Sequence, residues 1–317
     1  MDGFWTPGRA VFVAFALALL IPLGVWSCHD RLGDDLRAAG TLDGFNLDGL
    51  QIDRSKILHG IVDKRVTALW NPEALRIENV GFLLPSDMVL GVSLNGQARA
   101  YPIGMLTRRQ VVNDRLGGVP IAVFYCPLSD AATVVERRID DELLEFDVSG
   151  FLYESNILLY DYQQRGLWSQ LGFTAISGPH AGRRLWHINN WELTTYNMWS
   201  AKYPDSTVVS VEGSGGRSRY ASYMRNNRIL FPVSRHDDRL ADKTPVIGVR
   251  NRGIARAYPV EHLLAAGLIL DEIAGEPVVL RASADGSISV DEAPRDAFVA
   301  HAFWFAWYAQ HPDTEVY

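Results

Sequence analysis

The side chains able to do chemistry gather in one stretch of the sequence. Cys126 ends an apolar run and is followed by Pro127, Leu128, Ser129 and Asp130. Further on come Ser149 to Asn156 (SGFLYESN), then Asp161, then Leu167-Trp168-Ser169-Gln170. A cysteine whose pKa is lowered is a nucleophile or a soft metal ligand, so Cys126 is the weak candidate for covalent hydrolytic or redox catalysis. Ser129 stands three residues after it, so neither a Cys-x-x-Cys redox pair nor a dithiolate metal clamp forms. A lone strand-end cysteine is more often a small buried hydrophobe. No Gly-x-Ser-x-Gly elbow replaces it. His180 and His187 are weak metal or general-base candidates, because a spacing of seven fits neither a helical i, i+4 pair nor a zinc finger. Trp168, Ser169 and Gln170 supply an aromatic platform, a hydroxyl and an amide. With Cys126, Asn156 and Asp161 they form the expected polar and aromatic pocket for a small ligand or a metal. The competing reading makes Trp168 core filling and gives Gln170 to neighbouring backbone.

The elements that must position these residues emerge when the chain is compared with itself. Residues 89–120 align without a gap to residues 246–277 at an offset of 157, with 13 identities in 32 positions. A second match, 199–208 against 307–316, has an offset of 108, so the first segment holds 49 extra residues between its matching blocks. The expected pocket lies in that excess. Each segment reads as two β-prone runs around a tight turn, Asn95-Gly96 or Arg252-Gly253, then Tyr-Pro, a short helix beginning after the proline, and a second hairpin. Further strands are expected at 133–138, 143–148, 156–162 and 184–187, and helices at 195–202 and 302–310. The shared Ala-Arg-Ala-Tyr-Pro suits a structural role, with Arg99 and Arg256 pairing carboxylates such as Asp114 and Asp271. The expected fold is β-dominated α+β, with two lobes from an internal duplication of a strand-strand-helix-strand-strand unit. Residues 1–28 read as a membrane anchor or lipoprotein-type signal, 29–80 as a lead-in, 81–233 as copy one with its β-rich insertion, and 234–317 as the shorter copy two.

The quoted motifs, in this order, resemble the bacterial and archaeal family known as domain of unknown function 3179. Its members show Tyr-Cys-Pro-Leu-Cys after a hairpin, then Ser-Gly-x-Leu-Tyr-x-Ser-Asn, a Tyr-Asp pair, and Leu-Trp-Ser-Gln before a Gly-Pro turn, here Gly178-Pro179. The resemblance runs from about Gly60 to the C-terminus and departs from the family at Ser129. It implies an exported or anchored protein and brings no activity or cofactor with it.

Composition agrees with a folded chain: 317 residues are 48% hydrophobic and 21% charged, enough for a sizeable core. A formal net charge of −7 and the lack of any basic block disfavour a nucleic-acid partner. The charge-free run 10–28 would span about 28 Å as a helix, close to the thickness of a bilayer core. The expected partner is therefore the membrane, through the N-terminus, with Cys28 as a weak lipidation site; the flanking charges do not fix the orientation, and a folded part outside the cytoplasm is what the family resemblance and the habit of N-terminal signals imply. Two alternatives accompany the binding-protein reading: a Cys-dependent hydrolase or redox enzyme, and a structural or partner-docking module.

Overall fold

The computed structural model describes residues 41–60, 66–211, 218 and 220–317. The apolar run 10–28 and Cys28 lie outside the described residues. The chain is β-dominated α+β, with short helices between strands. Its lead-in carries β1 (Thr41–Leu42), β2 (Phe45–Asn46), β3 (Leu58–His59), β4 (Leu69–Trp70) and β5 (Ala74–Arg76). The first matching segment forms β6 (Met88–Leu94), β7 (Gln97–Pro102), a helix Ile103–Arg109, β8 (Val111–Leu116) and β9 (Val119–Cys126). Then follow β10 (Ala131–Glu136), β11 (Arg138–Ile139), β12 (Glu142–Leu143), β13 (Phe146–Tyr153), β14 (Asn156–Asp161), β15 (Leu167–Ser169), β16 (Thr174–Ala175), β17 (Trp191–Thr195), a helix Tyr196–Lys202 and β18 (Thr207–Val209). The second segment repeats the order: β19 (Pro245–Asn251), β20 (Ile254–Pro259), a helix Val260–Ala266, β21 (Leu268–Ile273) and β22 (Glu276–Ala282). The chain ends with β23 (Ile288–Glu292), β24 (Phe298–Phe303), a helix Trp304–Gln310 and β25 (Glu315–Val316). The expected strand at 184–187 is not formed; an isolated bridge, Val135 to His187, stands in its place.

The two matching segments have the same hairpin register, Val89 opposite Pro102 and Val246 opposite Pro259. Their helices both start directly after that proline, whose fixed φ suits a first turn. They both end on a left-handed residue, Gln110 and Gly267. Yet the segments do not build separate lobes. One eight-stranded sheet runs β25-β20-β19-β24-β10-β9-β8-β4, and another runs β21-β22-β23-β17-β6-β7-β18-β5. Each therefore joins strands from both segments, because the helix after β7 or β20 carries the chain across to the opposite sheet. The expected division at 233/234 is not a division between sheets.

The sheet containing β9 and β24 is the middle layer. One core lies between it and the other eight-stranded sheet, with Leu90, Tyr101, Ile121, Val123, Ile247 and Tyr258 among its members. A second core lies between the middle sheet and the five-stranded sheet β16-β15-β14-β13-β3 of the insertion, and holds Ala122, Phe124, Cys126, Phe146, Leu159 and Trp168. Burial on both faces explains why β9 reads as a continuous apolar run and why β24 is buried along its whole length, His301 included. The strand β21, with no such cover, alternates between exposed and buried residues.

Each half is closed by a tryptophan lying flat on a glycine. A Cβ on Gly91 would sit 1.9 Å from the Trp199 ring, and one on Gly248 would sit 2.3 Å from the Trp307 ring. The indole N–H groups donate to equivalent hydroxyls, Trp199 to Ser206 at 2.9 Å and Trp307 to Thr314 at 3.0 Å. Both rings are fully buried. Overpacking at such contacts costs about 1–3 kcal/mol or more. We therefore expect Gly91→Ala and Gly248→Ala each to lower the urea midpoint by a corresponding amount. A midpoint like that of the wild type would contradict the close packing.

Candidate functional site

The insertion residues singled out by chemistry form a buried hydrogen-bonded seam between the middle sheet and the five-stranded sheet. Asn156 opens β14 after a turn whose residues Glu154 and Ser155 both have positive φ. Its Nδ2 donates to Ser129 Oγ and to Gln170 Oε1, each at 2.9 Å, and its Oδ1 accepts from the Leu171 N–H at 3.2 Å. Gln170 in turn donates to the Ala131 carbonyl at 2.9 Å. Cys126, fully buried at the end of β9, adjoins this seam. Burial pushes its thiol up, against weaker opposing hydrogen bonds from Ser129, Ile157 and Leu128, so thiolate chemistry is suppressed.

Asp161 and Trp168 pair with each other: the indole Nε1 donates to Asp161 Oδ2 at 2.8 Å, while Oδ1 accepts from the Gln164 N–H at 2.6 Å and closes the turn. Trp168 meets Phe146 edge-on, with centroids 5.4 Å apart. Ser169 Oγ accepts from the Gly172 N–H at 3.0 Å. Trp168, Ser169 and Gln170 do border a cavity, together with Thr133, Phe173 and His187, but its volume is only about 20 Å³. That is room for a single water. Cys126, Asn156 and Asp161 are not among its lining residues.

The two histidines have different surroundings. His180 Nε2 lies 3.2 Å from Glu142 Oε2, and His187 packs edge-on to Phe298 with its Nδ1 sealed from solvent. Burial lowers His187 to about 3, so it is neutral at physiological pH. Among the described residues no group of three or more His, Cys, Asp or Glu side chains is placed to hold a metal.

A larger opening lies elsewhere, on the Ala-Arg-Ala-Tyr-Pro element of the first segment. A groove of about 460 Å³ is bordered by Gln97, Arg99, Lys202, Tyr203, Asp205 and Thr207, among others. The strand β7 positions Arg99, and the parallel strand β18 sets Thr207 directly beside it. Arg99 Nη1 donates to both oxygens of Asp114, at 2.9 and 2.8 Å, and its Nε donates to Thr207 Oγ1 at 3.0 Å. Tyr101 adds a third bond to the same buried carboxylate, 2.8 Å from Asp114 Oδ2. Burial, then the adjacent Asp114 charge, pushes the Tyr101 hydroxyl well up, so it remains a donor. Among the described residues nothing accepts a hydrogen bond from Arg99 Nη2. Lys202 reaches the Glu192 carboxylate. Burial alone would lower Lys202, but the Glu192 partner outweighs it and raises the ammonium pKa.

The second segment has the same framework with a second carboxylate on its arginine. Arg256 donates to Asp271 at 2.5 Å, and Tyr258 donates to the same oxygen at 2.6 Å. Where Thr207 stands in the first segment, Glu315 stands in the second, and it receives both Nε and Nη2 of Arg256. His311, at the position of Tyr203, is buried with its Nε2 2.8 Å from the Leu171 carbonyl of the insertion. This groove was not among the sites expected from residue types and spacing. Its signal was the Thr207/Glu315 difference within an otherwise similar block.

A model of the family described as protein of unknown function (DUF3179) matches residues 65–300. The chain belongs to the DUF3179 family. No curated protein and no solved structure matches it. The DUF3179 match takes in the seam, the Arg99 groove and most of the second segment, and it assigns no activity to any of them.

The seam makes a stability prediction. Removing a partner from a buried polar pair costs about 1–3 kcal/mol for each group left unpaired. Asn156→Ala and Gln170→Ala should therefore lose stability by that order in urea unfolding, and Cys126 should react with iodoacetamide only after denaturation. Prompt labelling at Cys126 itself in the native protein, together with wild-type midpoints for both variants, would contradict the seam.

Proposed function

We propose that this DUF3179 member is a binding protein held at the membrane by its N-terminal apolar run, with its folded part outside the cytoplasm and a small ligand taken in the groove over Arg99. The observation that carries this reading is the asymmetry between two matching frameworks. At one, Glu315 accepts from Nε and Nη2 of Arg256; at the other, Thr207 takes Nε alone and a groove of about 460 Å³ borders a guanidinium whose Nη2 has no acceptor among the described residues. Volumes of this size suit a small molecule, and a few placed polar groups against apolar walls are what such sites use. The seam around Cys126 then serves to fasten the insertion to the middle sheet. A Cys126-dependent hydrolase or redox enzyme fits less well, since its thiol is buried and its pKa raised.

Two measurements check the proposal. Cell fractionation should leave the full chain with the membranes, and deletion of residues 1–28 should release it. Thermal melts of the released protein against neutral, anionic and cationic small molecules should show a rise with at least one class, because a ligand at about a hundred times its Kd adds about 2.7 kcal/mol. A full chain soluble without detergent would overturn the anchoring, and melts indifferent to every class would overturn the groove as a ligand site.

A further inference from the structure

Taking the groove as the ligand site, we infer that it selects a carboxylate, which binds Arg99 where Glu315 binds Arg256. The second segment supplies the stand-in. In both halves the arginine sits on the second strand of the first hairpin, with a carboxylate fifteen residues later and a tyrosine hydroxyl sharing that carboxylate. In both halves a short parallel strand lies alongside, with Thr207 in register with Arg99 and Glu315 in register with Arg256. The guanidinium groups then differ chiefly in their second side-chain partner, while Arg256 Nη1 also reaches the Glu272 carbonyl. Arg256 has two carboxylates, and Arg99 has one carboxylate and a hydroxyl.

A guanidinium presents a planar fork of donors, and its strongest partner is a carboxylate. With Asp114 held by Nη1 and Thr207 by Nε, the remaining donor of Arg99 is Nη2. The Arg99 side chain keeps 18% of its surface accessible and borders the groove, so that donor can be reached. A carboxylate arriving there restores the composition that the second segment carries internally. Thr207, Gln97 and Tyr203 line the same groove and offer further polar contacts. The carboxylate can come from a free organic acid or from the C-terminus of a peptide; the chemistry at Arg99 is the same.

The decisive variant is Thr207→Glu, which writes the second segment's internal carboxylate into the first. The equivalent position already accepts a glutamate in the same register, so the variant should fold. Its melt and that of the wild type are compared with succinate, with succinamide, and with triglycine as the free acid and as the C-terminal amide. Succinate should raise the wild-type midpoint and succinamide should not. Thr207→Glu should not respond to succinate beyond the general salt effect measured with chloride. A rise with triglycine acid and not with its amide, in the absence of a succinate effect, supports the carboxylate and assigns it to a chain terminus. If succinamide stabilises the wild type as well as succinate does, or if Thr207→Glu responds to the acids as the wild type does, the carboxylate assignment is overturned while the groove reading stands. If no probe moves the wild-type midpoint, both fall. Should Thr207→Glu fail to fold, the acid and amide pairs on the wild type decide alone.

Discussion

A carboxylate held under an arginine and a tyrosine, once in each half of the chain, is the interaction on which the architecture rests. Arg99 and Tyr101 lie on β7 in one eight-stranded sheet, and Asp114 lies on β8 in the other. The second half runs in the opposite sense, from Arg256 and Tyr258 on β20 to Asp271 on β21. Each triad therefore pins the two sheets to each other at the point where the chain crosses between them. Asp114 is almost entirely buried, and a charge in that position needs its partners, since a buried pair broken on one side loses about 3–5 kcal/mol. Asp271 is more open; burial would raise its pKa, but the Tyr258 and Arg256 bonds hold it below the usual range. Between these pins the apolar core fills from both segments at once, and neither eight-stranded sheet belongs to one half alone.

The same framework carries different burdens on its two sides. The outer face of β8, β9 and β10 is covered by the five-stranded sheet, and the face of β21 and β22 is left to solvent, with Leu270 the most exposed of its large apolar residues. Covering a sheet face with another sheet leaves polar groups at the junction, and those groups need partners. Asn156, Gln170 and Ser129 meet that need, which is why amides and a hydroxyl stand among aromatic rings there. Ser129 accepts from Asn156 and adjoins the Cys126 thiol. The insertion also reaches the second half through Leu171, whose carbonyl lies 2.8 Å from His311 Nε2.

Much of this was legible in the sequence, and the illegible part has a common cause. Asn95-Gly96 and Arg252-Gly253 mark turns by their backbone tolerance, and Pro102 and Pro259 mark helix starts, so the order of elements in both segments could be read residue by residue. These are local signals. That the helix after β7 delivers β8 to the other sheet is not local, and the alternation of β8 is hidden by cover on its outer face. The residues at 156, 161, 168 and 170 have the types of a ligand pocket and of a satisfied seam alike; only distances between strands far apart in sequence separate the two. The strand expected at 184–187 fails because one bridge to Val135 is all the pairing that segment finds. Thr207 was visible as a threonine opposite a glutamate, and became informative once Arg256 was seen to hold that glutamate.

The most direct measurement follows the arginine side chains themselves. In protein labelled with ¹⁵N-arginine, the Nε–H resonances of Arg99 and Arg256, assigned by Arg→Lys substitution, are recorded while a carboxylate is titrated in. Arg256 is the internal reference, because Glu315 already occupies its fork. The account predicts a saturable shift of the Arg99 resonance with Arg256 unmoved; a stationary Arg99, or equal shifts at both arginines, would contradict it.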